Sequence, residues 1–350
     1  MKLRILTSII TLIFLISACK KTEIIPGADY QQLLSDLSYN VILETYKDLF
    51  DNTQLLLESL ESLKSNQNEV NLELARQAWR NARDPWEQSE GFLFGPVDQK
   101  GLDPSIDSWP VNQTDLDAVL KSSNTLSRTY IDGLDGTLKG FHTIEYLLFG
   151  ENGSKKIDAF TPREFEYLTG CSESLHGATE ALYFSWKQDK QNFISNVINA
   201  GKAGNNIYPS QKSALEELMT GMITITDEVA NGKINDPFSQ LNINLEESRF
   251  SRNSKKDFAD NIRSVKNIYN GNYKNLAGKG LTEIIYSKNP NLDSKIRVQI
   301  DEAITGIENI QGTFTDAIFN AKQSVIDAQN RVRALQLTLE SEALPIISNL

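Results

Sequence analysis

The sequence has few of the residue types that form disulfides and histidine-rich metal sites. Its 350 residues include two cysteines, Cys19 and Cys171, and two histidines, His142 and His176. The His-Glu-x-x-His motif, with which many zinc peptidases bind their metal on one helix, does not occur in the chain. Stability must therefore come mainly from a hydrophobic core, which a chain of this length can bury without help.

Basic residues are also in short supply. The chain has 35 Lys and Arg against 46 Asp and Glu, a formal net charge of −11. A field of that sign repels phosphate backbones and attracts cations. Nucleic acid is therefore excluded as an expected partner.

Long hydrophobic runs are missing after the first residues of the chain. Two basic residues precede an apolar run over residues 5–16, which is too short to span a bilayer and ends in Ser17-Ala18-Cys19. This pattern predicts a signal peptide over residues 1–18 and resembles the lipobox that bacterial lipoprotein signal peptidase cleaves. The alternative is an ordinary secretory signal with a chance cysteine.

A lipobox implies that Cys19 becomes acylated and anchors the protein in the bacterial cell envelope, with the lipid as its only anchor. Lys20 and Lys21, which follow the cysteine, are compatible with sorting of the lipoprotein to the outer membrane. Lipidation would leave Cys171 alone, so no internal disulfide could form.

Alternating strand patterns are missing too, whereas apolar residues recur at helical spacing along most of the chain. The sequence therefore predicts an all-α fold, with a tether over residues 19–27 and two helical bundles, 28–205 and 206–350. The predicted helices cover about 70–93, 114–129, 137–149, 162–199, 210–230, 254–270, 277–287 and 293–340. The stretch 95–112, rich in Pro and Gly, is the main irregular segment and a candidate functional loop.

A partial repeat supports two related bundles. Residues 139–146, KGFHTIEY, align with residues 279–286, KGLTEIIY, through shared Lys, Gly, Ile and Tyr. The second copy has Thr282 and Ile285 where the first has His142 and Glu145. The same local structure can thus be built without them, which makes a purely structural role for His142 and Glu145 less expected.

His142 and Glu145 lie one helical turn apart in a stretch that is apolar on both faces. Such a helix is buried, and a buried carboxylate needs a partner charge, several donors or a metal. Geometry alone favours a mutual hydrogen bond or ion pair inside a bundle. A metal site is the second interpretation.

A second polar group on an apolar helix strengthens the metal interpretation. Trp79, Arg83, Trp86 and Glu90 share one helical face, with Glu87 beside it. Tryptophans at this spacing are typical of a core, but arginine and glutamate between them are not. Arg83 can pair with Glu87 one turn further on.

These segments resemble the imelysin family. GFHTIE, residues 140–145, fits the family motif Gly-x-His-x-x-Glu, and residues 75–96, 246–254 and 257–262 are also similar to imelysin sequences. The resemblance covers essentially the whole mature chain. It implies a fold of two related helical bundles and a role as an envelope metallopeptidase or in bacterial iron uptake.

From this resemblance and the two polar groups, the sequence predicts a site between the bundles. Its expected metal ligands are His142, Glu145, Glu90 and Glu87, and its expected further binding residues are Arg83, Ser248 and Arg249. Mixed imidazole and carboxylate ligation suits iron, with zinc as the alternative. His176 is not expected to be a ligand, because its surroundings are polar and predicted to face solvent.

Three functions are compatible with the sequence. The first is an iron-regulated lipoprotein that binds iron or an iron complex for uptake, with an envelope iron transporter as a possible partner. The second is a metallopeptidase in which Glu145 would be the catalytic residue. The third is a non-catalytic module that binds a peptide or another protein.

Overall fold

The structure is a computed structural model that describes residues 29–350. The predicted signal peptide, Cys19 and the tether 19–27 lie outside the described residues. Within 29–350, none of the helices combines the length and apolar character that crossing a bilayer requires.

The first part of the described chain forms ten helices, with a π-helical segment, Leu37–Leu43, joining the first two. The helices are α1 (Gln31–Asp36), α2 (Glu44–Ser65), α3 (Glu69–Glu87), α4 (Pro96–Gln99), α5 (Asp103–Ile106), α6 (Gln113–Lys121), α7 (Arg128–Asp132), α8 (Gly140–Phe149), α9 (Pro162–Trp186) and α10 (Ile194–Ile198). A 3₁₀ turn, Glu90–Phe92, follows α3, and two further 3₁₀ turns are Gly136–Leu138 and Ile157–Ala159.

The second part forms eight helices, a 3₁₀ turn at Ile243–Leu245, and π-helical segments at Glu228–Lys233 and Leu339–Ala343. The helices are α11 (Gln211–Asp227), α12 (Asn235–Gln240), α13 (Ser254–Asn270), α14 (Thr282–Lys288), α15 (Pro290–Glu308), α16 (Phe314–Asn320), α17 (Lys322–Thr338) and α18 (Leu344–Ser348). The all-α prediction is confirmed. Among the described residues, the strands are β1 (Asn272–Tyr273) and β2 (Leu276–Ala277), which pair as a short antiparallel hairpin.

Several predicted helices are shorter in the structure. The predicted helix 114–129 ends at Lys121, before a Ser- and Asn-rich loop, and 162–199 ends at Trp186, before a turn in which Asn192 has φ 59°. The predicted stretch 293–340 is divided into α15, α16 and α17. Periodicity continued across these breaks, but Ser and Asn side chains compete with helical hydrogen bonds and favour turns.

The hydrophobic core is continuous across the predicted boundary at residue 205. Helices α2, α3, α8 and α9 pack together, as do α11, α13, α15 and α17. Buried apolar residues from Leu33 to Ile347 nevertheless form one connected cluster, and α1 contacts both α10 and α11. The internal duplication and the domain limits 28–205 and 206–350 stay predictions.

The two sets of helices meet where α3 and the turn 90–92 pack on α11 and α13. Two glycines allow this close approach, since a Cβ atom on Gly221 would lie 2.2 Å from the Gly91 carbonyl oxygen. A Cβ on Gly91 would in turn lie 2.6 Å from Ser264 Oγ. Glu87 and Glu90 are thereby held against the second set of helices.

Candidate metal centre

The start of α8 brings a distant loop against its first residue. Gly140 has φ +75°, and a Cβ there would lie 2.3 Å from the carbonyl oxygen of Ile106. Only glycine accepts both the backbone conformation and this contact. The loop after α5 can therefore approach the first residues of α8. It places Asp107 beside His142.

The His142 ring has two different environments at its two nitrogens. Nδ1 is hydrogen bonded to Glu145 Oε2 at 3.0 Å. Nε2 lies 2.9 Å from Asp107 Oδ1 and 3.8 Å from Glu247 Oε1, but the alignment is poor and Nε2 has no hydrogen-bond partner. This nitrogen is therefore buried and faces two carboxylates without a directed hydrogen bond.

Glu145 joins α8 to the segment that precedes α13. Its Oε1 accepts hydrogen bonds from the Ser251 amide at 2.7 Å and from the Ser251 hydroxyl at 2.8 Å. Its Oε2 holds His142, as described above. Both carboxylate oxygens are therefore occupied, and they fix the orientation of the ring.

Arg83 is fully buried at the centre of a group of carboxylates. It is paired with Asp107, Glu87 and, at 3.0 Å, Glu247, and lies 3.6 Å from Asp257. The pairing of Arg83 with Glu87 that the helical spacing predicts is present.

Trp86 Nε1 donates to the second oxygen of Asp107 at 2.5 Å. Asp107 is thus fixed on one side by the indole and on the other by the guanidinium of Arg83.

Lys233 is a second buried cation in the same cluster. Its Nζ lies 2.8 Å from Glu90 Oε2, 3.1 Å from Glu247 Oε2 and 3.6 Å from Glu87 Oε2. Asn261 donates from Nδ2 to Glu87 at 2.6 Å and to Glu90 at 3.0 Å. The helices α3 and α13 and the π-helical segment 228–233 meet at this point.

The cluster contains more acidic than basic groups. Two side chains, Arg83 and Lys233, carry a fixed positive charge, and His142 can carry a third. The six buried carboxyl groups near them are those of Glu87, Glu90, Asp107, Glu145, Glu247 and Asp257. Burial without full neutralisation is unfavourable, so the cluster must take up protons or a cation.

Burial and charge act in opposite directions on the acids of the cluster. Burial raises the pKa of Glu87 and Glu90 well above the usual range, despite the nearby cations. Burial also opposes ionisation of Asp107 and Glu247, but nearby positive charges outweigh it. The charges of Arg83 and His142 lower the pKa of Asp107. Lys233 helps to lower the pKa of Glu247 to about 2. Asp107 and Glu247 are therefore the carboxylates that stay ionised.

The same competition decides the charge of the histidine. Burial of the imidazole lowers its pKa, but the adjacent Asp107 carboxylate outweighs burial, so the pKa of His142 lies well above its ordinary value. Two carboxylates beside Nε2 therefore attract positive charge to that position.

One group of potential ligand atoms includes the histidine. Asp107, His142 and Glu247 each offer an atom within 4.8 Å of the others, and all three are buried. A second group, Glu87, Glu90, Asp107 and Glu247, meets the same distance limit. Glu145 belongs to neither group, because its oxygens face Nδ1 and Ser251.

A cavity of about 380 Å³ gives access to the histidine side of the cluster. Its walls include Trp109, His142, Glu145, Ser248 and Arg249. The indole of Trp109 has its centroid 6.0 Å from the His142 ring. A small ligand in this cavity would therefore touch the imidazole.

The predicted site residues take up different positions around this cavity. His142, Glu145, Glu87, Arg83 and Ser248 are buried together. Arg249 lies in the cavity wall, paired with Glu151 at 2.8 Å. Glu90 is paired with Lys233 at 2.8 Å and lines a separate cavity of about 190 Å³.

His176 differs from the expectation that it faces solvent. Its ring stacks on Phe50, with centroids 4.9 Å apart, and Nδ1 lies 3.2 Å from the Thr53 hydroxyl. It is half-buried between α2 and α9, where its contacts are with those helices. The polar residues around it in sequence concealed this apolar contact.

Sequence reasoning missed Asp107, Lys233, Glu247, Asp257 and Ser251. Asp107 lies in the irregular stretch 95–112 that was selected as a candidate functional loop, and Glu247 and Ser251 lie in the segment 246–254. The sequence thus pointed to these two segments but not to the individual residues within them. Lys233 offered no signal, since nothing in its sequence surroundings distinguishes it from a surface lysine.

Comparison with known proteins extends these observations to the whole chain. The imelysin family model matches residues 42–340. The chain is also similar to iron-regulated protein A of Synechococcus elongatus, with 28% identity over 338 residues that make up 95% of this chain and 90% of the relative.

Two crystal structures have the same fold. The first is a protein of Parabacteroides distasonis described as an iron-regulated protein A precursor, with a TM-score of 0.82, 26% identity, and coverage of 93% of this chain and 96% of that one. The second is an imelysin-like protein of Psychrobacter arcticum, with a TM-score of 0.73, 12% identity, and coverage of 91% and 95%.

Proposed function

The chain belongs to the imelysin family, and from that premise we propose that it is an iron-regulated envelope protein that binds iron, as the free ion or as a complex, at His142. The iron is cargo for uptake in this proposal. Support comes from two sides: a relative over nearly the full length is named iron-regulated protein A, and the buried cluster has the donors that such a cargo requires.

The observation that carries the proposal is the state of the His142 ring. Metal-binding histidines typically donate the N–H of one nitrogen to a carboxylate, which fixes the tautomer and points the other nitrogen at the metal. Glu145 holds Nδ1 in this way, and Nε2 is buried without a hydrogen-bond partner beside Asp107 and Glu247. We therefore assign Asp107, His142 and Glu247 as the residues that would hold the ion.

The donor set fits the proposed metal. One imidazole and two carboxylates suit iron, and the same set suits zinc. The excess of carboxyl groups over fixed cations in the cluster also favours a cation. Binding of a divalent ion would offset charge that the two fixed cations leave uncompensated.

The cavity explains why a complex is included in the proposal. A volume of about 380 Å³ accommodates more than a bare ion, and Ser248 and Arg249 face it from the second half of the chain. Arg249 offers a guanidinium to an anionic chelator. Glu145, in contrast, acts as the positioning residue for His142.

Metal analysis of the full-length chain tests the proposal. Parent, His142→Ala, Asp107→Asn and Glu247→Gln are loaded anaerobically with Fe²⁺ and separately with Zn²⁺, and bound metal is measured after dialysis. We expect one ion per parent chain and a loss of binding in His142→Ala. His176→Ala is the matched control, because it removes the other histidine of the chain and should retain the metal.

Two results would contradict the proposal. The first is a parent that binds neither ion under conditions in which it is folded. The second is chelator-sensitive cleavage of casein that is lost in Glu145→Gln, which would favour the metallopeptidase alternative. Transcript levels in iron-starved cells give an independent check, since an uptake protein should be induced.

The envelope location is a proposal that rests on residues 1–19. We expect cells fed radiolabelled palmitate to incorporate label into the parent but not into Cys19→Ala, because the thiol of Cys19 is the acylated group in the lipobox interpretation. Cys171→Ala is the control and should keep the label. Equal labelling of parent and Cys19→Ala would eliminate the lipid anchor.

A further inference from the structure

Lys233 is an unusual side chain for a protein interior. Lysine is rarely buried completely, and its side chain here has 0% exposure. It is the last residue of the π-helical segment Glu228–Lys233, a backbone form that is rare and frequent at functional sites. The irregular turn directs the ammonium into the acidic cluster instead of towards solvent.

The position of this ammonium coincides with a potential ion site. Glu87, Glu90, Asp107 and Glu247 each place a carboxylate oxygen within 4.8 Å of the others. Lys233 Nζ contacts three of these four groups at 2.8–3.6 Å. The fourth, Asp107, is paired with Arg83.

Two further observations indicate that a cation belongs at this position. Lys233 Nζ donates to Glu247 Oε1 at 3.3 Å and lies 3.1 Å from Glu247 Oε2, so the ammonium faces both oxygens of this buried carboxylate. The Nζ atom also lies 5.4 Å from the centroid of the Trp109 ring, as expected of a cation near an aromatic face.

Glu247 connects this position to the histidine. Its Oε1 accepts hydrogen bonds from Arg83 at 3.0 Å and Lys233 at 3.3 Å and lies 3.8 Å from His142 Nε2, and its Oε2 lies 3.1 Å from Lys233. One carboxylate therefore borders two cation positions, one at His142 and one at Lys233. Bridging carboxylates of this kind are typical of paired metal sites in helical bundles.

We propose that the Lys233 ammonium occupies the second of two adjacent cation positions and so restricts the site to one metal ion. The one-ion state of the parent rests on the function proposed above. Lys233 is then the residue that decides metal stoichiometry. Without its ammonium, Glu87, Glu90 and Glu247 would take a divalent cation in its place.

The test compares metal content in the parent and in four full-length variants, of which three are single substitutions. Lys233→Ala removes the ammonium and leaves room for an ion, whereas Lys233→Met removes the charge but fills the space. Lys139→Ala controls for loss of a buried lysine elsewhere, since Lys139 binds the Asp132 carbonyl group. Bound Mn²⁺, Zn²⁺ and anaerobic Fe²⁺ are counted after dialysis, and thermal unfolding is followed with and without each ion.

We expect two ions in Lys233→Ala and one in the parent, Lys233→Met and Lys139→Ala. In Lys233→Ala the two bound Mn²⁺ ions should also give a spin-coupled EPR signal, which single-ion sites lack. Lys233→Ala should unfold at a lower temperature than the parent without metal and regain stability when metal is added. The double variant His142→Ala/Lys233→Ala should bind one ion.

The outcomes separate this inference from the proposed function. If the parent binds no ion but Lys233→Ala binds one, the function fails and the inference about Lys233 stands. If parent and folded Lys233→Ala bind the same number of ions, the inference is wrong. It is equally wrong if Lys233→Ala unfolds and millimolar metal does not restore the fold.

Discussion

At the scale of single residues, the cluster around His142 contains side chains whose orientation is fixed by several hydrogen bonds. Glu145 is fixed from both ends, by the Ser251 amide and hydroxyl on one oxygen and by the His142 ring on the other. A carboxylate so constrained orients the imidazole at little entropic cost when a ligand arrives. Its contribution to binding is therefore indirect.

Glu145→Gln should weaken metal binding without abolishing it. Loss of such an orienting partner typically reduces metal affinity by about 10–100-fold. Affinity is measured by competition with a chromophoric chelator, and His142→Ala should show no binding in the same assay. Glu151→Gln, at the cavity wall, is the control and should match the parent. Parent-like affinity in Glu145→Gln would mean that the ring is oriented by other contacts.

His176 gives a prediction about pH. Burial lowers its pKa below the ordinary value of 6.5, so the folded state favours the neutral ring. This contribution to stability is fully present above pH 6.5 and is lost as the pH falls through the lower pKa of the folded state.

The free energy of unfolding of the parent relative to His176→Gln should therefore decrease on acidification below pH 6.5. Chemical denaturation at several pH values measures the difference. NMR of the ring protons gives the folded-state pKa directly, with His142→Ala used to assign the signals. A His176 midpoint at or above 6.5 would contradict the prediction.

At the scale of elements, the start of α8 is the critical feature. Gly140 combines φ +75° with the close approach of the Ile106 carbonyl, and the residue after Ile106 is Asp107. The glycine of the Gly-x-His-x-x-Glu motif thus lets the loop that carries Asp107, a proposed ligand, approach His142.

Gly140→Ala should lower both stability and metal affinity. A left-handed conformation costs an L-residue roughly 1–2 kcal/mol, and the clash at 2.3 Å adds to it by displacing the loop. Gly204→Ala is the matched control, because Gly204 has φ +89° and nothing within 4 Å of an added Cβ. Equal losses in the two variants would show that the loop contact has no effect.

The helix α14, which aligns with α8 in the partial repeat, has a hydrogen-bonded threonine, Thr282, where α8 has His142. Thr282 donates to Asp293 at 2.5 Å, and Tyr269 donates to the same oxygen at 2.8 Å. Arg297 contacts the other oxygen of Asp293 at 3.0 Å. These groups are hydrogen bonded to one another, whereas His142 Nε2 has no directed hydrogen bond.

At the scale of the whole molecule, the centre ties both parts of the chain together. Asp107 and His142 come from before residue 205, whereas Lys233 and Glu247 come from after it. The core is continuous across the same boundary. Folding of one part should therefore depend on the other.

Calorimetry of the full-length chain should show a single unfolding transition. A metal at about 100 times its dissociation constant should stabilise the folded state by about 2.7 kcal/mol and move the whole transition to higher temperature. His142→Ala should lose this shift and keep the single transition. Two transitions, with only one moved by metal, would instead support two independently folding bundles.

The sequence alone determined the helical class, the His142–Glu145 contact and the pairing of Arg83 with Glu87. These properties depend on local spacing, because residues three or four positions apart on a helix are neighbours in any fold. The acidic composition likewise predicts that nucleic acid is not a partner. Helix ends were less predictable, since turns at Ser- and Asn-rich segments interrupted a continuous apolar period.

Only the tertiary structure decided which other groups surround the histidine. Lys233 and Glu90 are 143 positions apart in sequence, and Ser251 and Glu145 are 106 apart. Such contacts depend on how helices pack, on the close approach at Gly91 and Gly221 and on the π-helical turn before Ile234, none of which periodicity encodes. The sequence thus determined that a buried imidazole and carboxylate would meet, and packing decided that two more carboxylates and a lysine would share their site.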